Sequence, residues 1–153
     1  MKPSNSSQCL PHPVFALIIC GSALLAGCGE RSPYTVVPVS GKVTYEDGSP
    51  IPGPDLQIIF VPQTPPANPK EYPRRASGAV SPADGTFECL TTNEYGDGAT
   101  VGPQKVLVES INEQGKPSGA VPPEYSSVTQ TPLKTDVSAG HGPYQFKIPK
   151  PAK

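Results

Sequence analysis

Proline is spread along almost the whole chain, and its distribution constrains the fold more than any other feature of the sequence. The 153 residues include 22 prolines, and five of these fall within residues 62–74. Proline interrupts a helix because it lacks a backbone N–H and its ring clashes with the preceding turn. Long helices are therefore excluded. The apolar residues instead form short runs separated by proline and glycine, which predicts strands and turns.

Seven of these runs alternate apolar and polar residues, as half-buried strands do. In the first run Val39, Val43 and Tyr45 share one face, and Asp47-Gly48 then supplies the residues of a tight turn. The seven predicted strands are residues 39–45, 56–61, 75–80, 86–90, 104–110, 133–137 and 144–148. Short alternating strands between turns predict an all-β domain, a single antiparallel seven-stranded β-sandwich.

One pair of these strands is predicted to form a hairpin. Residues 75–80 and 86–90 are separated by residues 81–85, a connection of suitable length and composition. Cys89 alternates in phase with Phe87, so we interpret it as a small buried apolar side chain.

The first residues have the pattern of an export signal rather than of a folded domain. Lys2 precedes an apolar segment at residues 14–27 that has no charged residue. This segment is shorter than the roughly 20 residues of a membrane-spanning helix, and it matches the apolar region of a signal peptide. An uncleaved membrane anchor is the alternative.

The end of this segment, Leu25-Ala26-Gly27-Cys28, resembles the lipobox of bacterial lipoproteins. The resemblance implies that a signal peptidase recognises Leu25, Ala26 and Gly27 and that Cys28 becomes the lipid attachment site. Two or more acyl chains would then hold the protein firmly on a membrane. The alternative is an ordinary signal peptide that contains a cysteine. The predicted organisation is a signal peptide at 1–27, a lipidated tether at 28–35 and the β-domain at 36–150.

Residues 39–53 resemble the opening of carboxypeptidase regulatory-like domains, which have a transthyretin-like (prealbumin-like) fold. The shared pattern is a G-x-V strand at Gly41, the Asp47-Gly48 turn, and Pro50-Ile51-Pro52-Gly53 leading into the next strand. Small bacterial lipoproteins built from one such domain continue with segments similar to residues 122–126 and 131–133. The resemblance covers about residues 36–148 and implies a Greek-key sandwich, but it implies little about activity.

The residues favour a protein without catalytic activity. His141 is the single histidine after the predicted cleavage site, and it stands in a Gly-rich turn. Related hydrolases and iron dioxygenases of this fold use several histidines. Asp47, Asp84 and Asp97 each precede a glycine and could supply calcium ligands, but Asp-Gly is also common turn chemistry. We predict no catalytic site, no metal site and no cofactor.

Two loops are the predicted contact surface, residues 62–74 with Tyr72 and residues 122–127 with Tyr125. For residues 62–74 the structural alternative is that the prolines block strand pairing at a sheet edge. For residues 122–127 it is that Tyr125 packs its loop against the domain. The sequence predicts a non-catalytic binding or scaffold module of the cell envelope, with an envelope protein or a glycan as partner. A carbohydrate-binding module on the cell surface is the alternative, although tryptophan is absent.

Charge and the residue after Cys28 bear on partners and location. The chain has 12 basic and 13 acidic residues, which gives no electrostatic case for binding nucleic acid. The residue after the predicted lipidated cysteine is Gly29 and not an aspartate. By resemblance to lipoprotein sorting, this favours the outer membrane, with the domain facing the periplasm or the cell surface.

Overall fold

The computed structural model describes residues 32–151, and this part of the chain is all-β. It contains nine strands and one short 3-10 helix at Pro123–Ser126. The strands are β1 (Val36–Val37), β2 (Gly41–Tyr45), β3 (Asp55–Pro62), β4 (Ala76–Ala79), β5 (Thr86–Phe87), β6 (Ala99–Thr100), β7 (Gly102–Ile111), β8 (Lys134–Val137) and β9 (Tyr144–Ile148). Each of the seven predicted strands overlaps one of these nine.

The strands form two principal sheets. The larger has the order β4-β3-β7-β8, and its longest ladder pairs Asp55 of β3 with Ile111 of β7 and Pro62 with Gln104. The smaller sheet has the order β5-β2-β9, and a short ladder joins β1 to β6. Each principal sheet has two edge strands, β4 and β8 in the larger sheet and β5 and β9 in the smaller one.

Aromatic side chains join the two sheets into a sandwich-like domain. Phe60 of β3 lies with its ring centroid 6.2 Å from Phe87 of β5 and 5.9 Å from Phe146 of β9. Tyr144, also on β9, packs edge-on to Phe60 at 6.3 Å. Aromatic pairs in such tilted geometries add to the stabilisation from apolar burial. The core therefore depends on contacts between strands that are distant in sequence.

The alternation expected from the sequence is clearest in β9. Tyr144, Phe146 and Ile148 are buried, whereas Gln145 and Lys147 are exposed. Since successive side chains of a strand point to opposite faces, the polar residues cover the outer face of the smaller sheet.

The prediction of a wholly antiparallel sheet is wrong at one pair. β9 runs parallel to β2, with Gly41 beside Tyr144 and Tyr45 beside Ile148. Parallel neighbours need a long crossover connection rather than a tight turn. Here the remainder of the domain, including the whole larger sheet, supplies that connection.

The predicted hairpin is also only partly formed. Ser81 N–H donates to the Thr86 carbonyl, and Ser77 exchanges two hydrogen bonds with Thr91. β4 nevertheless pairs with β3, and β5 pairs with β2, so the two segments belong to different sheets. Cys89 is half-buried and lies beyond the end of β5, so the interpretation of it as a buried strand residue is wrong.

The long connection between β7 and β8 follows the edge of β7 instead of projecting from the domain. Ser126 Oγ donates to the carbonyl of Val108, and Thr131 Oγ1 donates to that of Val106. The Val106 N–H in turn donates to the carbonyl of Leu133. These bonds satisfy backbone groups of β7 beyond residues 102–105, the part of the strand that pairs with β8.

Candidate functional site

The predicted lipidation site lies outside the described residues. Leu25, Ala26, Gly27 and Cys28 all precede Ser32, where the description begins. Residues from Pro33 onward belong to one compact unit. The candidate binding site that the structure describes therefore belongs to the β-domain alone.

Tyr72 is exposed, as a contact residue would be. Its side chain retains 65% of its accessible surface. The loop that carries it is held by Tyr34, whose hydroxyl donates to the Glu71 carbonyl at 2.8 Å and accepts from the Ala67 N–H at 2.6 Å. Hydrogen bonds from the Tyr34 side chain to the backbone therefore order this proline-rich loop next to an outward-facing tyrosine.

Tyr125 has the opposite environment, and for that reason it is not an exposed contact residue. It is 9% exposed and packs in the hydrophobic core from the 3-10 helix. Burial raises the pKa of its phenol, and the nearby carboxylates of Glu124 and Glu46 act in the same direction. Its role is to pack the long connection against the domain, because a side chain so enclosed cannot contact a partner without unfolding of its loop.

The two predicted loops meet the domain through different strands. The carbonyl of Arg74, close to Tyr72, accepts a hydrogen bond from Thr100 of β6. Ser126, adjacent to Tyr125, donates to the carbonyl of Val108 in β7. Of the two tyrosines, Tyr72 presents its ring to solvent and Tyr125 does not.

A groove between the edge strands of the two sheets is the stronger candidate site. Its volume is about 470 Å³. Leu133, Lys134 and Thr135 line it from the β8 side, and Gln145, Phe146 and Lys147 line it from β9. The connection from β8 to β9 contributes His141 and Pro143 to the lining. Sequence reasoning missed this groove because no residue pattern states which strands lie at the edges.

One edge of the groove presents unpaired backbone. The Tyr144 N–H donates to the Ser40 carbonyl, and the Ile148 carbonyl accepts from the Glu46 N–H. In this parallel ladder the even-numbered residues of β9 thus face β2, and the N–H and C=O groups of Gln145 and Lys147 point away from it. Within residues 32–151, no strand pairs with that side of β9.

The groove is flanked by positive charge. Lys134 and Lys147 stand on its two rims, and Lys105 lines an adjoining hollow of about 330 Å³ that shares Lys134 and Thr135 with the groove. Among the described residues, no Asp or Glu lines either cavity. The ion pair found in this part of the chain is elsewhere and joins Lys150 to Asp47.

The three turn aspartates considered as calcium ligands each accept hydrogen bonds from other protein groups. Asp47 accepts from Lys150 and from Ser49, which holds the pKa of its carboxyl well below the ordinary range. Asp84 accepts the Thr86 N–H and hydroxyl, and its pKa is likewise lowered. Within residues 32–151, no group of three or more His, Cys, Asp and Glu side chains is arranged to hold a metal ion.

The third aspartate, Asp97, organises the loop between β5 and β6. Its carboxylate accepts the N–H groups of Thr92, Asn93 and Glu94 at 2.7 to 3.0 Å. Burial acts to raise its pKa, but these hydrogen bonds outweigh burial and the pKa is lowered. The carboxylate therefore stabilises the loop in its charged form.

Comparisons of the chain with models of protein families, with curated proteins and with solved structures find no match. In the part of the chain that the structure describes, no helix is long and apolar enough to cross a membrane. The candidate site combines a concave surface, an unpaired strand edge and lysines with no acidic residue beside them in the described lining.

Proposed function

We propose that this chain is a bacterial lipoprotein whose β-domain serves as a non-catalytic binding module in the cell envelope. The apolar leader and the Leu25-Ala26-Gly27-Cys28 motif support the anchor. On this proposal Cys28 carries the lipid, and a tether at residues 28–35 leads to the domain. Gly29 favours the outer membrane, and the domain faces the periplasm or the cell surface.

The fold that we propose for the domain is the transthyretin-like Greek-key sandwich of carboxypeptidase regulatory-like domains. Overlap between all seven predicted strands and strands of the domain supports it. The packing of Phe60 against three aromatic rings of the other sheet supports a two-layer arrangement. Such a domain is suited to presenting a binding surface on a rigid scaffold.

The observation that carries the binding function is the groove between β8 and β9. Ligand sites are typically concave, partly apolar and supplied with a few polar groups, with volumes of roughly 300 to 1,000 Å³. The groove combines the apolar Leu133 and Phe146 with the exposed edge of β9 and with Lys134 and Lys147 on its rims. We propose that the partner engages the domain here.

Fatty-acid labelling tests the anchor. Cells expressing the full-length chain are grown with a clickable palmitate analogue, and the tagged protein is then purified and fractionated. We expect label and membrane association in the wild type and in Cys20→Ala, a matched control within the leader, and loss of both in Cys28→Ala. Equal labelling and membrane retention of Cys28→Ala would refute lipidation at this residue.

Protease treatment of intact cells then assigns the side of the membrane. Loss of a C-terminal tag while a periplasmic marker survives places the domain on the cell surface, whereas protection places it in the periplasm.

Crosslinking at the groove tests the binding function in the same cells. A photo-reactive residue at position 145 is expected to capture a partner, and one at Glu113, on the loop after β7, is expected to capture none. Equal recovery of adducts from both positions, or of none from position 145, would contradict the proposed site.

A further inference from the structure

We infer that the groove binds an extended acidic segment of another envelope protein, which adds as a strand to the free edge of β9. This inference rests on the proposed binding function and specifies the class of partner. It is carried by three independent features of the groove, namely its backbone edge, its apolar floor and its charge.

The backbone edge favours a peptide over other ligands. Gln145 and Lys147 each present one N–H and one C=O to the side away from β2. Together they offer about four backbone hydrogen bonds with the two-residue spacing of a strand. An extended peptide is the ligand whose donors and acceptors repeat with that spacing, which is the basis of recognition by strand addition.

The floor of the groove selects the side chains on one face of the guest strand. A strand added to β9 would extend the smaller sheet toward β8, and every second side chain would face the inside of the domain. The apolar side chains that line the groove are the exposed Pro143, the half-buried Leu133 and the edge of the largely buried Phe146. We therefore expect apolar residues at alternate positions of the guest.

The charge of the rims selects the side chains on the other face. Lys147 lies on the outer face of β9, so its neighbours on an added strand are the outward-facing residues of the guest. Lys134 adds positive charge across the groove, and no Asp or Glu among residues 32–151 lines it. Acidic residues at the outward positions would neutralise these lysines. The partner is thus a segment in which apolar and acidic residues alternate.

The same charge argues against a second copy of this chain as the occupant. Pairing two β9 edges about a two-fold axis would gather both Lys147 side chains on the same outer face of the joined sheet, and like charges so placed repel each other. Lysines on edge strands also serve to prevent such association. If Lys147 serves only to prevent such association, the domain should show no saturable binding of a peptide. A binding measurement therefore distinguishes this protective role from strand addition.

The test uses the purified full-length protein and a fluorescent peptide of about seven residues, long enough to span β9, in which valine and glutamate alternate. Fluorescence anisotropy is expected to report saturable binding that weakens as salt is raised. The same peptide with lysine in place of glutamate is expected not to bind. N-methylation of one alternate set of amides should abolish binding, and N-methylation of the other set should leave it unchanged, because only one set faces β9.

Variants of the protein locate the site. Lys134→Glu combined with Lys147→Glu is expected to weaken binding by about tenfold or more through charge repulsion. Lys116→Glu, an exposed lysine on the loop after β7, is the matched control and should bind as the wild type does. Circular dichroism verifies that both variants are folded.

Several outcomes would overturn the inference. Unchanged binding by the double variant, or equal binding of both N-methylated peptides, would exclude strand addition at β9. Binding of polygalacturonate with no binding of the peptide would assign the lysines to an acidic glycan. Crosslinking of a partner from position 145 together with failure of the peptide would remove the inference while leaving the proposed binding function in place.

Discussion

The hydroxyl of Tyr45 donates a 2.7 Å hydrogen bond to the backbone oxygen of Ala120, 75 residues further along the chain. Tyr45 ends β2, and Ala120 lies in the long connection between β7 and β8. The ammonium of Lys150 lies 5.4 Å from the centre of the Tyr45 ring and also pairs with Asp47. One side chain therefore links the smaller sheet, the long connection and the C-terminal segment.

Removing the Tyr45 hydroxyl is expected to loosen the long connection. Tyr45→Phe retains the buried ring but leaves the Ala120 carbonyl without this donor, so we expect a loss of about 1 kcal/mol in the free energy of unfolding. Urea denaturation measures the loss, and hydrogen exchange should show weaker protection in residues 112–131. Tyr95→Phe changes an exposed tyrosine, 84% accessible, and should alter neither quantity. Equal stability of the two variants would contradict a structural role for this hydrogen bond.

Two glycines in the loop before β6 predict a contrast between backbone strain and steric overlap. Gly96 and Gly98 both have positive φ, at 74° and 107°. A Cβ atom at Gly96 would meet nothing within 4 Å, whereas one at Gly98 would overlap the Val37 carbonyl oxygen. We expect Gly96→Ala to cost about 1–2 kcal/mol, from conformation alone. Gly98→Ala should cost clearly more and should separate β1 from β6.

Thermal denaturation checks the order of the two glycine variants, and hydrogen exchange at residues 36–37 reports on the β1–β6 ladder. Similar midpoints for Gly96→Ala and Gly98→Ala would show that β1 moves aside without cost.

The charge of Asp97 is expected to make stability depend on pH. Its pKa in the folded protein lies below the unfolded value of about 3.9, because three backbone N–H groups hold the carboxylate. The resulting stabilisation is fully present above the unfolded pKa and is lost as pH falls through the folded pKa. Asp97→Asn should therefore be less stable than the wild type by about 1–2 kcal/mol at neutral pH, and the difference should shrink below about pH 4.

Urea denaturation at a series of pH values tests this expectation for Asp97. The control Glu88→Gln alters an exposed carboxylate and should differ from the wild type by less than about 0.5 kcal/mol throughout. If the loss of stability in Asp97→Asn stays constant down to acid pH, the loss comes from altered hydrogen-bond geometry and not from the charge of the carboxylate.

The two tyrosines singled out from the sequence should respond differently to truncation. Tyr125→Ala removes a buried ring from the core and is expected to cost about 3–5 kcal/mol. Tyr72→Ala removes an exposed ring and should change stability by less than about 0.5 kcal/mol. Chemical denaturation gives both values, and Tyr125→Phe provides a milder variant if the alanine variant fails to fold. Equal effects at the two positions would contradict the burial of Tyr125.

Strand positions could be predicted because the evidence for a strand is local. In β9, five consecutive residues alternate between buried and exposed, and this alternation is visible in the order of Tyr144, Gln145, Phe146 and Lys147. The two-residue strands β1 and β6 were not predicted. Strands so short carry no periodicity, and their existence depends on the pairing of Val36 with Thr100.

Pairing and burial could not be predicted because they are relations between distant segments. The parallel pairing of β9 with β2 and the assignment of β4 and β5 to different sheets depend on how the whole chain folds. The burial of Tyr125 likewise depends on how the long connection packs along β7. The residues around it, two prolines, Glu124 and two serines, are equally compatible with an exposed loop.

The amino-acid sequence by itself therefore determined the all-β character of the domain and the position of its main strands, and it carries the motif on which the predicted lipid anchor rests. The tertiary structure alone decided which strands became edges, and so where the groove between β8 and β9 lies. The physical reason is that alternation and proline content act within a few residues. An edge exists only when every other strand has found its partner, which leaves the backbone of Gln145 and Lys147 without one in the described part of the chain.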